Sequence, residues 1–183
     1  MSAKSSLWAN RFLAAAIVQG ALVTGLTAYV VIGQLWFLRP EVSRVIAAGG
    51  AGNWFTMGYL SYLIVGVIGA AVTSLFYYYI EVTLNKPYTG TLNTLAGLHL
   101  ILMNVGIIGA TWMMMIGGYL GGAAMLPKAV GGGGLTAAEV HDKVFYAIPG
   151  GYPLWISIFL IVLGAGVLLG GLGYVLAWRR KTA

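Results

Sequence analysis

The chain contains no cysteine. Disulfides, zinc–thiolate sites, iron–sulfur clusters and thiol catalysis are excluded with it. Charge is scarce as well. Four acidic and ten basic residues among 183 make the chain 8% charged, where ordinary soluble domains carry about 25%. So few charges would not cover the surface of a soluble protein of this size, which excludes a soluble globular enzyme, a disordered chain and a conventional nucleic-acid binder. There are only two histidines, so a copper site built from three imidazoles is beyond this chain alone. In place of these groups stands apolar mass: 60% of the residues are hydrophobic, and 28 are glycine.

The apolar residues fall into four runs, 8–38, 54–80, 92–122 and 153–178. Each exceeds the roughly 20 residues needed to cross a hydrocarbon core of about 30 Å. Backbone groups in lipid must be satisfied within their own segment, so the runs predict helices. The expected fold class is therefore all-α: one polytopic transmembrane four-helix bundle over 1–183, with a short extracytoplasmic loop helix. Lys4 precedes the first run as it would in a signal peptide, but the run is too long for a signal h-region and reads as a retained span.

The connections are legible. Arg39-Pro40-Glu41 closes the first run, a glycine-rich stretch over 47–53 leads into the second, and 85–90 is a short polar turn. Residues 123–152 form one long loop with four glycines at 131–134. These glycines lack the Lys-Ser/Thr that a phosphate loop needs. Thr136-Ala137-Ala138-Glu139 is a capping-box pattern and predicts a helix over 137–147, stopped before Pro149.

Four spans place both termini and the 85–90 turn on one side. That side carries Lys4, Arg11, Lys86, Arg179, Arg180 and Lys181; the other carries Arg39, Arg44, Lys128 and Lys143. Six positives against four put both termini in the cytoplasm by the positive-inside rule.

Few side chains within the spans carry chemistry. His99 lies about 10 Å into the third span, at 1.5 Å per residue. Ionisable groups at that depth are costly and face protein or water, so His99 reads either as a haem or copper ligand or a proton relay, or as a neutral ring hydrogen-bonded to a neighbouring helix. Gln19 and Asn104 suit hydrogen bonds between helices. Gly66, Gly106, Gly109, Gly166 and Gly170 suit close helix packing, which bilayers favour. Glu81 at the end of the second span is expected to pair with Lys86. Glu139, His141 and Asp142 on the loop helix offer a solvated contact face. Met113, Met114 and Met115 point in three directions about 100° apart and cannot converge on one ion. Tyr77, Tyr78, Tyr79, Trp36, Trp54 and Trp178 sit near span ends and read as an interfacial aromatic belt. A haem held by two histidines needs both at one depth on facing helices. His99 and His141 fall at different levels, so no cofactor is expected from this chain alone.

The stretch Leu98-His99-Leu100-Ile101-Leu102-Met103-Asn104-Val105-Gly106 resembles a late helix of haem-copper oxidase catalytic subunits, and Trp54-Phe55-Thr56-Met57-Gly58-Tyr59-Leu60 is similar in the same way. The whole chain resembles the small four-span membrane proteins that accompany archaeal haem-copper terminal oxidases. The His-x-His pair, the further copper-binding histidines and the redox tyrosine of the catalytic family are missing. The resemblance thus implies an oxidase-like helical fold without the metal centre: a non-catalytic subunit of a respiratory oxidase, with other membrane subunits and the lipid bilayer as partners and haem elsewhere in the complex. Two alternatives remain open at this point. One is a haem-binding or quinone-handling electron carrier using His99; the other is a scaffold for another membrane metalloenzyme. Transport fits less well, because it usually calls for broken helices and intramembrane charges, for which His99 and Glu81 are the only candidates.

Overall fold

The computed structural model of the chain describes residues 5–180; Lys4 and Lys181, which entered the charge balance above, lie outside the described residues. Helix α1, Leu7–Trp36, begins at Ser6, whose hydroxyl accepts the Ala9 backbone N–H at 3.0 Å and satisfies one of the donors every helix N-terminus leaves open. It stops two residues short of the predicted 38, ahead of Pro40. A one-and-a-half-turn helix, α2, Val42–Ala47, follows.

Helix α3, Gly50–Thr83, starts four residues before the expected 54 and ends three beyond the expected 80. At its start, Gly52 lies so close to the Val45 carbonyl that a Cβ would have no room, which lets the glycine-rich lead wind onto α2 instead of remaining a linker. Two stretches of α3, Tyr62–Gly69 and Tyr79–Thr83, take the wider π-helical turn. The second carries Glu81 at the helix end.

Helix α4, Thr91–Met125, is the longest and occupies the centre, packed against both α3 and α6. A short helix, α5, covers Ala137–Val140 and continues as a single wide turn, His141–Phe145; it closes two residues before the predicted 147. Its capping box forms as the pattern suggests, with Thr136 and Glu139 exchanging bonds. Helix α6, Gly151–Arg179, begins two residues before the expected 153. Pro153 falls in its first turn, where a missing N–H costs nothing.

Four of these helices, α1, α3, α4 and α6, are long and apolar enough to cross a membrane. The described residues contain no strand. Successive long helices run antiparallel, so the start of α1, the end of α3, the start of α4 and the end of α6 share one end of the bundle. Large apolar side chains face outward on every long helix, among them Ile17, Leu35, Ile64, Ile101, Ile161 and Leu168.

The α4–α6 contact rests on absent side chains. A Cβ on Gly106 would stand 2.5 Å from the Leu163 backbone nitrogen, and one on Gly166 would stand 2.7 Å from that of Met103. One on Gly109 would press into the Phe159 ring. The two backbones thus meet at a distance only glycine allows, the usual basis of close helix contact in bilayers. The faces of Gly106 and Gly109 are thus filled by α6 of the same chain.

Candidate functional site

His99 is 3% exposed and sits where all four long helices meet. From α3, the Tyr77 hydroxyl shares a hydrogen bond with His99 Nδ1 at 3.1 Å. From α1, Phe12 lies 4.9 Å from the imidazole, centre to centre, and stacks on Tyr77 at 5.0 Å. From α6, Tyr174 meets the imidazole edge-on at 5.9 Å. Gly170, also on α6, lies directly against the ring: a Cβ there would be 2.6 Å from His99 Cγ and nearer still to Nδ1. Tyr88 and Trp8 extend the cluster around Tyr77. Tyr88 lies in the turn between α3 and α4, and burial raises its hydroxyl pKa, with smaller contributions from Tyr174 and Glu81.

The helical members reach the cluster by their spacing. Ala70, Ser74 and Tyr77 are the buried positions of their stretch of α3, four and three residues apart, as one face of a helix requires. Tyr78 and Tyr79 fall on the outward faces and are about half exposed, whereas Tyr77 is fully buried. The belt assignment therefore holds no place for Tyr77. It also fails for Trp54, whose ring stacks on Phe145 at 4.8 Å beneath α5. Trp36 and Trp178 do face outward.

One turn further along α4, the Gln19 side-chain amide on α1 donates to Asn104 Oδ1, while Asn104 Nδ2 donates to the Leu100 carbonyl at 2.7 Å. Gly66 on α3 makes the space for the Gln19 amide oxygen. The two amides thus tie α1 to α4 across a glycine.

Glu81 does not pair with Lys86. Its carboxylate accepts from the Ser6 hydroxyl and from the backbone N–H of Trp8 and of Tyr88, both at 3.4 Å. It sits at the amino end of α1, where the helix dipole and open N–H groups favour an anion. Lys86 instead donates to the Trp178 carbonyl at the end of α6, the matching arrangement for a cation. Trp8 donates to Asn93 Oδ1 at 2.9 Å and lies under Arg11 at 4.5 Å.

At the opposite end, Glu139 turns back onto its own helix. The Thr136 backbone N–H, with Lys143 at 2.9 Å, holds its carboxyl pKa well below the ordinary value, at about 2. His141 lies edge-on to Tyr146 at 5.1 Å, and Asp142 is exposed. Among the described residues no three His, Asp or Glu side chains gather to hold a metal ion.

A haem does not fit at His99. The imidazole is enclosed by Phe12, Tyr77, Tyr174 and the bare Cα of Gly170, so a macrocycle would have to displace the aromatic residues that hold three helices together. Helices α1, α3 and α6 each set an aromatic ring against the imidazole that α4 carries, and α6 adds the bare Cα of Gly170. The sequence reading singled out His99 and Gly170 separately but missed Phe12, Tyr77 and Tyr174 as their partners. The four-and-three spacing of Ala70, Ser74 and Tyr77 was the available signal. No family model, curated protein or solved structure matches this chain, and its function is therefore argued from these residues alone.

Proposed function

We propose that the chain is a multi-pass membrane protein acting as a non-catalytic subunit of a respiratory terminal-oxidase complex, where it contributes helical scaffold rather than electrons. The observation that carries this reading is the enclosure of His99. An electron carrier or transporter needs polar groups turned toward a ligand or a water path. Here His99, Tyr77, Gln19 and Asn104 are turned toward one another. What remains outward is apolar side chain on four helices of spanning length, a surface suited to lipid and to partner helices. The link to oxidases rests on the resemblance of residues 98–106 and of the four-span plan.

The charge balance supports an orientation with both termini in the cytoplasm, which places α5 and the 123–152 loop outside. In this orientation α5 caps the outer face, with His141 and Asp142 available to a partner's extracytoplasmic surface. Affinity purification of the tagged chain from native membranes in mild detergent tests the subunit role. Haem-bearing subunits are expected to co-elute, with the haem absorbance unchanged in a His99→Phe variant. Recovery of the chain alone, haem-free and monodisperse, would overturn the proposal.

A further inference from the structure

The first half of α1 is buried through Trp8, Phe12, Ala16 and Gln19. Beyond Val23 it stays tied to α3, where Thr27 and Tyr59 share a hydrogen bond at 2.7 Å, and an apolar groove of about 580 Å³ lies between it and α4. Gly25, Tyr29 and Val30 line one wall, Trp112 and Tyr119 the other, and Leu38 stands at the mouth.

Two features of the groove select an occupant. The first is its length. The α1 residues lining it run from 21 to 30 and the α4 residues from 112 to 120, which at 1.5 Å per residue is about 12–14 Å. That is half of a hydrocarbon core of about 30 Å. A crossing helix would need the full depth; an acyl chain in one leaflet needs half. The second feature is charge at the mouth. Leu38 and Val42, both lining residues, bracket Arg39 and Glu41. Glu41 is shared by two guanidinium groups, Arg39 and Arg44, each at 3.3 Å, so the rim carries one net positive charge. Arg39 is spent on the end of α1, donating to the carbonyls of Gln34 at 2.7 Å and Leu38 at 3.1 Å. Arg44 is exposed and meets Glu41 through Nε, and its guanidinium presents the planar fork that suits a phosphate oxygen pair.

We infer that this groove is a binding site for one anionic phospholipid of the leaflet that holds α2, with an acyl chain between α1 and α4 and the headgroup phosphate on Arg44. The inference rests on the membrane reading but not on the subunit role. A bound lipid would fill the space between α1 and α4.

The test uses the full chain purified in mild detergent and native mass spectrometry with added phosphatidylglycerol or phosphatidylcholine. One phosphatidylglycerol per chain is expected, preferred over phosphatidylcholine by about tenfold, the effect of one charge-assisted contact. Arg44→Gln removes the preference. Gly25→Leu, where a Cβ meets nothing within 4 Å, fills the groove and abolishes binding of both lipids. Equal affinity for the two lipids, or unchanged binding in either variant, overturns the site. A photoreactive side chain at position 25 in native membranes gives an independent readout: a phospholipid adduct supports the site, and a protein adduct replaces the lipid with a partner helix and overturns it. A chain that fractionates as soluble protein sinks the membrane reading itself, whereas a membrane-embedded chain indifferent to phosphatidylglycerol sinks only this inference.

Discussion

Gly170 on α6 and His99 on α4 share one volume: the imidazole occupies the space a side chain at position 170 would take, with His99 Cγ 2.6 Å from where its Cβ would stand. His99 is itself held from α3 by Tyr77, so neither the ring nor the helix gives way easily. Gly170→Ala is expected to lower stability by about 1–3 kcal/mol, the usual penalty for overpacking a filled core. Gly164 and Gly171 border open space, with nothing within 4 Å of where a Cβ would stand, and alanine at either should be neutral or mildly stabilising. Thermal unfolding of the three variants in one detergent checks this; a Gly170→Ala midpoint equal to that of Gly171→Ala would show that the ring is not locked.

The same contact explains how much of the site was legible beforehand. Span lengths follow from composition alone, because a bilayer of fixed thickness demands a fixed run of apolar residues. His99, Gln19 and Asn104 stand out because polar groups are rare at that depth. Which residues meet them is a property of helix azimuth and crossing, and a uniformly apolar helix gives little sign of either. Tyr77, Tyr78 and Tyr79 look alike in a row, yet successive residues on a helix point about 100° apart, and only Tyr77 turns inward. The glycine faces were visible too, but a run of small residues states that something comes close without stating what. The groove beside Gly25 was not legible at all, because it arises from the spacing between α1 and α4 beyond Val23.

Tyr77→Phe isolates the hydrogen bond to His99. Its loss should cost about 0.6 kcal/mol, the mean for polar contacts between membrane helices, because the phenyl ring keeps the stacking on Phe12. His99→Ala removes the ring and leaves a cavity among Phe12, Tyr77 and Tyr174, at a cost of about 2–5 kcal/mol. Tyr78→Phe, at a half-exposed position, should change nothing. Denaturation in mixed micelles ranks the three; equal losses for Tyr77→Phe and Tyr78→Phe would contradict the geometry.

Gln19 and Asn104 should respond unequally to replacement. Gln19→Leu leaves Asn104 still donating to the Leu100 carbonyl. Asn104→Leu strands the Gln19 amide, which is 2% exposed and has its carbonyl oxygen already without a partner. A stranded buried polar group costs about 1–3 kcal/mol, so Asn104→Leu should be the more damaging change. The double variant should recover part of that loss, and a double-mutant cycle measures the coupling. Strictly additive effects would mean the two amides do not bond.

Orientation is testable because the chain has no native cysteine. Ser5→Cys and Ala138→Cys both fall at exposed positions, one before α1 and the other on α5. A membrane-impermeant maleimide added to intact cells is expected to label position 138 and to reach position 5 only after permeabilisation. The reverse pattern would invert the proposed topology.

The α5 helix should depend on acid. The folded Glu139 carboxyl is held at about 2 against an ordinary 4.5, first by the Thr136 backbone N–H and then by Lys143. A carboxyl that binds its proton less readily when folded favours folding wherever the unfolded form is ionised. Its support is therefore complete above about pH 4.5 and is lost progressively as pH falls toward 2. The protection factors of amides 137–145, each taken against the intrinsic exchange rate at that pH, should fall across that window while those of α4 around Asn104 stay high. Glu139→Gln keeps a side-chain acceptor for the Thr136 N–H but no charge for Lys143, so its protection should already be lower at neutral pH and nearly constant with acidification. A wild-type α5 whose protection does not change between pH 5 and about pH 2 would show that the capping box is not what holds it.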